Sequence, residues 1–284
     1  MTNYKHCPRC KHQHENLSVT YCEECGLNID KYWNEQLHPE EKEIKEEKPK
    51  KGTFDKNFFR GKQPKIRMKI FEEMVRLQCE FNKKVHPNWQ EQNYNWMSAI
   101  IAESGELLES LGYKWWKHQE PDMNNVKVEA IDLLHFLISH QIQVSQEHPR
   151  IKDFNEAIKL TIDRFERCFT EEEEDNIKDE SIEVLVKSLI VFYDFGKFNA
   201  MKAIFNRLEM TNEDIYLAYI IKNCLNEFRQ KHGYKDGTYI KDWNGKEDNE
   251  IAYEIASEWG VEDLTYEQLF IDLEAYYKTE VLKG

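Results

Sequence analysis

Two stretches of the chain set its architecture, WMSAIIAESGELLESLGYKWWK at residues 96–117 and NVKVEAIDLLHFLISHQIQVSQ at residues 125–146. In both, apolar residues recur about every 3.6 positions, which is the period of an amphipathic helix. The pattern predicts one helix from about Asn93 to Leu111 and another from Asn125 to Gln146, ending before Pro149. The two helices follow each other along the chain, so we expect them to face each other.

The same period continues on both sides of this helix pair. On the N-terminal side, one apolar helix face is marked by Ile66, Ile70, Met74, Leu77 and Phe81. On the C-terminal side, a long helix begins near Asn212, a predicted N-cap, and ends at Gly233, a predicted C-terminal cap. Further helices are predicted near residues 153–169, 180–195, 199–209, 249–259 and 266–281. No alternation of Val, Ile and Thr predicts a sheet in this region, so residues 63–284 are predicted to form an all-α helical bundle.

Each helix of the pair carries two acidic residues three positions apart. These are Glu103 and Glu106 on the first helix, and Glu129 and Asp132 on the second. At this spacing two carboxylates share one helix face about 5–6 Å apart, and with apolar neighbours they cannot all face water. Facing helices would pool four carboxylates into an oxygen-only site suited to Mg²⁺ or Mn²⁺. A single pair alone would be read as solvated charge, and a di-iron site is disfavoured because these helices lack a Glu-x-x-His pair.

A cationic face is predicted on the long helix that ends at Gly233. Lys222, Asn226 and Arg229 stand at i, i+4 and i+7, so they share that face. The following segment adds Lys235, Tyr239 and Lys241, with Gly237 and Gly245 as hinges. Charge with directional donors is what a bound triphosphate requires, and the segment could close over it to exclude water. The alternative is an ordinary helix end with a solvated loop.

The N-terminus has a different pattern, in which Cys7, Cys10, Cys22 and Cys25 form two Cys-x-x-Cys pairs. Two such pairs can hold one zinc ion in a tetrahedral sulfur site, and a segment with so little core is folded mainly by its metal. The sequence therefore predicts a structural zinc ribbon over residues 1–33, in which a histidine could replace one thiolate. The highly charged residues 34–62 are predicted to be a linker. The sequence does not identify the protein or nucleic acid that the ribbon would bind.

Several of these motifs resemble those of the dimeric, all-α dUTPases. The resemblance covers about residues 64–260 and lies in Trp89, residues 77–82 (LQCEFN), 96–117, 128–136 (VEAIDLLHF) and 228–249 (FRQKHGYKDGTYIKDWNGKEDN). It implies a bundle of the all-α NTP pyrophosphohydrolase type that assembles as a homodimer. It also implies hydrolysis of dUTP to dUMP and pyrophosphate, which limits uracil in DNA, with dUDP as a candidate second substrate.

The resemblance also implies roles for individual residues. Glu103, Glu106, Glu129 and Asp132 would hold two or three Mg²⁺ ions, and Glu106, with Glu103 beside it, would act on the attacking water. The phosphates would be bound by Lys222, Asn226, Arg229, Lys235, Tyr239 and Lys241. The base and deoxyribose would be bound by Gln78, Asn82, Trp96, Trp115, Trp116 and His135. The clustered tryptophans could equally be core residues, and Asp248 and Asn249 belong to the matched motif without a role that follows from it.

Composition narrows the classes of function. A formal net charge of −14 opposes non-specific nucleic-acid binding by the whole chain. No apolar run approaches the roughly 18–20 residues that span a bilayer, and no apolar signal core stands at the N-terminus, so we expect a cytoplasmic location without a membrane partner. Two alternatives remain open: a related all-α NTP pyrophosphohydrolase that acts on dCTP or modified nucleotides, and a nucleotide-sensing regulatory protein that uses the zinc ribbon.

Overall fold

The computed structural model describes residues 70–171, 177, 179–191, 194–259 and 265–282. The predicted zinc ribbon with Cys7, Cys10, Cys22 and Cys25, the predicted linker and Ile66 lie outside these residues. Nine α-helices occupy the described part of the chain, which confirms the all-α prediction. They are α1 (Ile70–Val85), α2 (Trp96–Ser110), α3 (Met123–Gln146), α4 (Phe154–Thr170), α5 (Ile182–Val191), α6 (Asp194–Arg207), α7 (Asn212–Lys231), α8 (Asp248–Ser257) and α9 (Tyr266–Tyr276). A 3₁₀ turn (Trp89–Glu91) precedes α2, and a π-helical turn (Tyr277–Val281) continues α9.

Helix α3 forms the centre of the bundle. It begins after Asp122, whose side chain accepts hydrogen bonds from the backbone amides of Asn124 and Asn125. Helices α1, α2, α4, α6 and α7 all pack against it, and it is buried on almost every side between Val126 and Ile142. Although α3 is strongly apolar, no helix within the described ranges combines the length and hydropathy that a membrane span needs.

A second, smaller core lies around the C-terminal end of α7. There Phe228 and Trp243 are fully buried against Leu269 and Leu273 of α9. Helix α7 contributes residues to both cores, because its N-terminal half packs in the main core and its C-terminal half in the second. Burying a large apolar side chain stabilises a fold by about 1.5–3 kcal/mol, so α7 is anchored along its whole length.

The prediction that residues 63–284 contain no sheet was wrong at one place. Strands β1 (Asp242–Trp243) and β2 (Lys246–Glu247) pair antiparallel. They are joined by Asn244 and Gly245, which both have positive φ, 57° and 84°. A two-residue Asn-Gly turn with this backbone matches the twist of a hairpin. The Asn-Gly dipeptide in the sequence therefore already indicated a hairpin at this place. The hairpin leads directly into α8.

Two details of the predicted helices also change. The N-cap of α7 is Thr211 rather than Asn212, because Thr211 forms a capping box with Asp214. The buried stripe of α1 includes Gln78 and Asn82, whereas Leu77 and Phe81 are only partly buried. Gly233 follows α7 with a φ of +86°, which confirms it as the residue that ends the helix.

Candidate active site

Three carboxylates come together where α2 faces α3. Glu103, Glu106 and Glu129 each place a carboxylate oxygen within 4.8 Å of the others. Asn125 tethers this corner, because its Nδ2 donates to Glu129 Oε1 at 3.0 Å and to Ser110 Oγ at 2.7 Å. The i, i+3 spacing on α2 and the packing of α2 on α3 thus bring together three of the four predicted metal ligands.

The carboxylate cluster, by which we mean Glu103, Glu106, Glu129 and Asp132, is unevenly buried. Glu129 is buried, Glu103 and Asp132 are half-buried and Glu106 is exposed. Burial, followed by the charges of Asp132 and the other acids, raises the pKa of Glu103 to about 7. Burial and the charge of Asp132 likewise raise the pKa of Glu129 to about 7. Both shifts show that burial, and after it the neighbouring acids, disfavour the charged forms of these two carboxyl groups.

Asp132, the fourth acid of the cluster, forms an ion pair with α7. Its Oδ2 accepts a hydrogen bond from Lys222 Nζ of α7 at 2.8 Å. The ammonium group of Lys222 is buried and also donates to Asn249 Oδ1 at 3.0 Å. Lys222, predicted to bind phosphate, therefore connects the carboxylate cluster to the start of α8.

Arg229 is held by an acidic partner that the sequence did not reveal. Its Nε and Nη2 donate to Asp248 Oδ2 and Oδ1 at 2.7 and 2.8 Å. Asp248 is completely buried, and it also accepts the hydroxyl of Tyr239 at 2.7 Å. Burial alone would lower the pKa of Arg229, but the hydrogen bonds and charge of Asp248 raise it overall. Arg229 thus has a fixed orientation and a counterion before any ligand binds.

The remaining predicted phosphate ligands differ in their exposure. Asn226 is half-buried on α7, and its Oδ1 lies 3.4 Å from Arg229 Nη1. Lys235 and Lys241 are exposed on residues 234–247, which we call the phosphate loop. Lys241 Nζ lies 3.5 Å from Glu247 Oε2. The structure therefore presents two exposed lysines on the loop, in addition to the buried Lys222 and Arg229 on α7.

The predicted base-binding amides hydrogen-bond to each other and to side chains of two other helices. Gln78 Nε2 donates to Asn82 Oδ1 at 3.0 Å, and Gln78 Oε1 accepts from the hydroxyl of Tyr219 at 2.7 Å. Asn82 Nδ2 donates to Ser139 Oγ at 2.9 Å. Sequence reasoning missed Ser139 and Tyr219. Tyr219 could have been noticed, because it lies on the apolar side of α7 three positions before Lys222, where a buried hydroxyl needs a hydrogen-bond partner.

His135 sits beside this network with one ring nitrogen unused. Its ring stacks on Tyr219 at 4.0 Å, and Nδ1 lies 2.8 Å from the carbonyl oxygen of Ile131. Burial lowers the pKa of His135 to about 4, so the ring is neutral near pH 7. Since a carbonyl can only accept, Nδ1 carries the proton and Nε2 is an acceptor. Nε2 is buried and has no hydrogen-bond partner among the residues that the structure describes.

The structure separates the predicted tryptophans into two groups. Trp96 is half-buried, and its Nε1 donates to Gln143 Oε1 at 2.9 Å. Trp115 and Trp116, which meet edge to face, are 90% and 59% exposed. They are therefore not core residues of the described part of the chain, and their predicted contact with a base stays a prediction.

Residues 70–234 match a protein-family model described as dUTPase. The chain belongs to this family of all-α dUTPases. The match spans more than half of the chain and confirms the resemblance that the sequence motifs indicated, which makes the chain a dUTP diphosphatase, a hydrolase of nucleotide metabolism. A search of the curated proteins found no match.

The family match includes some parts of the site and excludes others. It contains the carboxylate cluster, Lys222 and Arg229, and it ends at the first residue of the phosphate loop. dUTPases of this family use divalent metal ions such as Mg²⁺. The cluster fits that chemistry, because it offers only hard oxygen donors whose mutual repulsion a divalent cation would relieve. No comparable group of His, Cys, Asp and Glu occurs elsewhere in the residues that the structure covers.

Proposed function

We propose that this chain hydrolyses dUTP to dUMP and pyrophosphate in an Mg²⁺-dependent reaction, and so limits uracil in DNA. The observation that supports this most directly is that two oppositely charged groups of side chains lie next to each other. An acidic cluster on α2 and α3 is joined through the Asp132–Lys222 ion pair of 2.8 Å to a cationic face on α7. A metal-bound triphosphate has both kinds of partner, because its oxygens bind the metal and the cationic groups together.

The metal ligands in this proposal are Glu103, Glu106, Glu129 and Asp132. Two or three Mg²⁺ ions, or Mn²⁺ in their place, would be held there. When bound, the metal neutralises triphosphate charge and lowers the pKa of a water molecule. Asn125 keeps Glu129 in place through a hydrogen bond of 3.0 Å.

The protein's own groups would then act on the water and on the phosphates. Glu106 is the most exposed carboxylate of the cluster, so it can reach a water molecule and take its proton. Lys222 and Arg229 stabilise the charge that develops on the phosphates as the bond between the α and β phosphorus atoms breaks. The family resemblance favours attack at the β phosphorus. Asn226, Lys235, Tyr239 and Lys241 bind phosphate oxygens and exclude bulk water.

Base recognition is proposed for the network around His135. The unpartnered Nε2 of His135 is an acceptor and would receive a hydrogen from the nucleoside. Gln78 and Asn82 offer amide groups to the uracil edge, while Trp96, Trp115 and Trp116 would wall in the base and deoxyribose. Cytosine presents the opposite donor and acceptor pattern, which a network of fixed amides rejects because buried polar groups would be left unpaired.

The test is a substrate panel of dUTP, dUDP, dCTP, dTTP and UTP, measured as release of pyrophosphate or phosphate with Mg²⁺ and with EDTA. We expect dUTP to be the best substrate and EDTA to abolish turnover. A preference for dCTP or a modified nucleotide would instead identify a related NTP pyrophosphohydrolase. Tight binding of nucleotides without turnover would identify a regulatory sensor.

Three further expectations accompany this function. We propose a homodimer in the cytoplasm, which molar-mass measurement and fractionation would test.

We also propose that Cys7, Cys10, Cys22 and Cys25 hold one structural zinc, which metal analysis of the full chain and of a four-serine variant would test. Full activity in a version lacking residues 1–62 would make the ribbon an accessory segment.

A further inference from the structure

The C-terminal helix packs on the segment that we propose to bind phosphates. Helix α9 and the π-helical turn after it lie beyond the family match, which ends at residue 234. They contact the end of α7 and the phosphate loop within the second core. These contacts of the C-terminal helix therefore support the loop from outside the part of the chain that matches the family.

Tyr277, in the π-helical turn, is the centre of this contact. It is 3% exposed, and its ring meets Phe228 of α7 at a centroid distance of 5.3 Å and Trp243 of the phosphate loop at 5.2 Å. It stacks on Tyr239 at 5.7 Å with an interplanar angle of 16°. Its hydroxyl accepts a hydrogen bond from the backbone amide of Ile240 at 3.3 Å. One side chain thus holds the phosphate loop through a ring stack and a backbone hydrogen bond.

Tyr239 passes this restraint on to the cationic face. Its ring rests on Tyr277, and its hydroxyl donates to Asp248 Oδ2 at 2.7 Å. The same carboxylate receives Arg229 Nε and Nη2 at 2.7 and 2.8 Å. The position of Tyr277 is therefore linked, through two side chains, to the guanidinium group that we propose to contact the triphosphate.

Glu274, one turn before Tyr277, fixes the same helix to the end of α7. Its carboxylate accepts hydrogen bonds from His232 at 2.7 Å and from Lys231 at 2.8 Å, and Lys278 lies 2.9 Å away. Although burial opposes it, these hydrogen bonds lower the pKa of Glu274 to about 2. Helix α9 is thus held against α7 at the residues that immediately precede the phosphate loop.

We propose that Tyr277 is a positioning residue for triphosphate binding, and that α9 with its π-helical turn holds the phosphate loop against Arg229. This proposal rests on the proposed function of the phosphate loop. A loop that is held in its binding conformation loses less conformational freedom when the ligand binds. Loosening it should therefore weaken substrate binding more than it slows the chemical step.

The test compares Tyr277→Leu, which removes the stack and the hydroxyl, with Tyr277→Phe, which removes only the hydroxyl. For Tyr277→Leu we expect KM for dUTP to rise about three- to tenfold, the factor that corresponds to one lost aromatic pair, with a smaller change in kcat. Trypsin should also cleave the metal-free protein faster after Lys235 and Lys241. Tyr277→Phe should change both readouts less.

Two control variants separate positioning from general destabilisation. Ile271→Ala alters a residue of α9 that is 58% exposed, and Phe169→Leu destabilises the main core away from the phosphate loop. At temperatures where every variant is folded by circular dichroism, both controls should keep the KM and the cleavage rate of the original chain.

The proposal is overturned if folded Tyr277→Leu keeps the original KM and cleavage rate, or if Phe169→Leu reproduces its effects. If Tyr277→Leu does not fold, Tyr277→Phe decides by the same two readouts. A wild-type chain without dUTP turnover would overturn the proposed function instead. The cleavage rates would then still decide whether Tyr277 holds the loop.

Discussion

The carboxylate cluster and the cationic face of α7 handle charge in opposite ways. In the cluster, burial and the repulsion between the acids raise the pKa values of Glu103 and Glu129 to about 7. On the cationic face, Arg229 is neutralised by Asp248, and Lys222 lies 2.8 Å from Asp132. The first region is short of positive charge, whereas the second region is already compensated by the protein.

This difference separates the ways in which the two regions would bind a nucleotide. We expect a bound cation to stabilise the cluster, because it would supply the positive charge that the chain lacks there. The cationic face is preorganised, because Asp248 orients Arg229 whether or not phosphate is present. Changes in the first region should therefore affect metal response and turnover, and changes in the second should affect folding stability as well as turnover.

The largest expected effect is the loss of turnover in Glu106→Gln. This change removes one negative charge from the cluster and the group that would take the water proton. We expect kcat to fall by about 10²- to 10⁴-fold, with an unchanged fold because Glu106 is exposed. Pyrophosphate release and circular dichroism measure the two quantities.

Glu109→Gln is a matched control for this variant. Glu109 lies on the same helix three positions further on, but it bonds to Lys114 and Gln119 rather than to the cluster. We expect near-normal turnover from it. Near-normal turnover in Glu106→Gln as well would contradict the assignment of the catalytic carboxylate.

A smaller effect, and one on stability, is expected from Asp248→Asn. The change leaves the buried guanidinium of Arg229 without its counterion, which typically destabilises a fold by about 3–5 kcal/mol. Denaturant unfolding measures this loss. Asp242→Asn is the control, because Asp242 is an exposed acid in the neighbouring hairpin and its side chain accepts a hydrogen bond from the backbone amide of Gly245 at 2.8 Å. Equal stability of the two variants would show that Arg229 does not depend on Asp248.

How far the sequence predicts these two regions depends on how far apart the interacting residues lie along the chain. The carboxylate pairs could be predicted because spacing along one helix determines which side chains share a face. The Arg229–Asp248 pair joins residues 19 positions apart through a hairpin, so helical spacing could not predict it.

The aromatic residues show a second limit of sequence reasoning. Clustered tryptophans at 115 and 116 are compatible with a core or with a binding surface, and only the structure shows that they are largely exposed. Gln78 and Asn82 were predicted as ligands for a base, but their partners Tyr219 and Ser139 come from two other helices. Tertiary packing, which local periodicity does not encode, decides both cases.

Mg²⁺ binding should raise the free energy of unfolding, and this gain tests whether the carboxylate cluster, unlike the cationic face, takes up a cation. At a concentration 100 times its Kd, a ligand that binds only the folded state stabilises it by about 2.7 kcal/mol. We expect this gain from the intact chain in MgCl₂ relative to EDTA, and a smaller gain from Glu129→Gln. Differential scanning calorimetry at matched ionic strength, with KCl in place of MgCl₂, is the measurement. Equal stabilisation by the two salts would mean that the cluster does not bind the metal.

The smallest expected effect is a pH dependence of the free energy of unfolding, which should occur in the metal-free chain. The ordinary pKa of Glu103 and Glu129 is 4.5, and in the fold both rise to about 7. The folded chain therefore keeps protons that the unfolded chain releases, so this contribution to stability is complete below pH 4.5 and is lost as pH rises through about 7. Both groups retain some contact with solvent, which screens the effect.

Unfolding free energies in EDTA should thus decline over this interval, and saturating Mg²⁺ should flatten the decline because the cation takes the place of the protons. A decline of equal slope in Glu103→Gln/Glu129→Gln would assign it to other groups and remove the electrostatic contrast between the two regions.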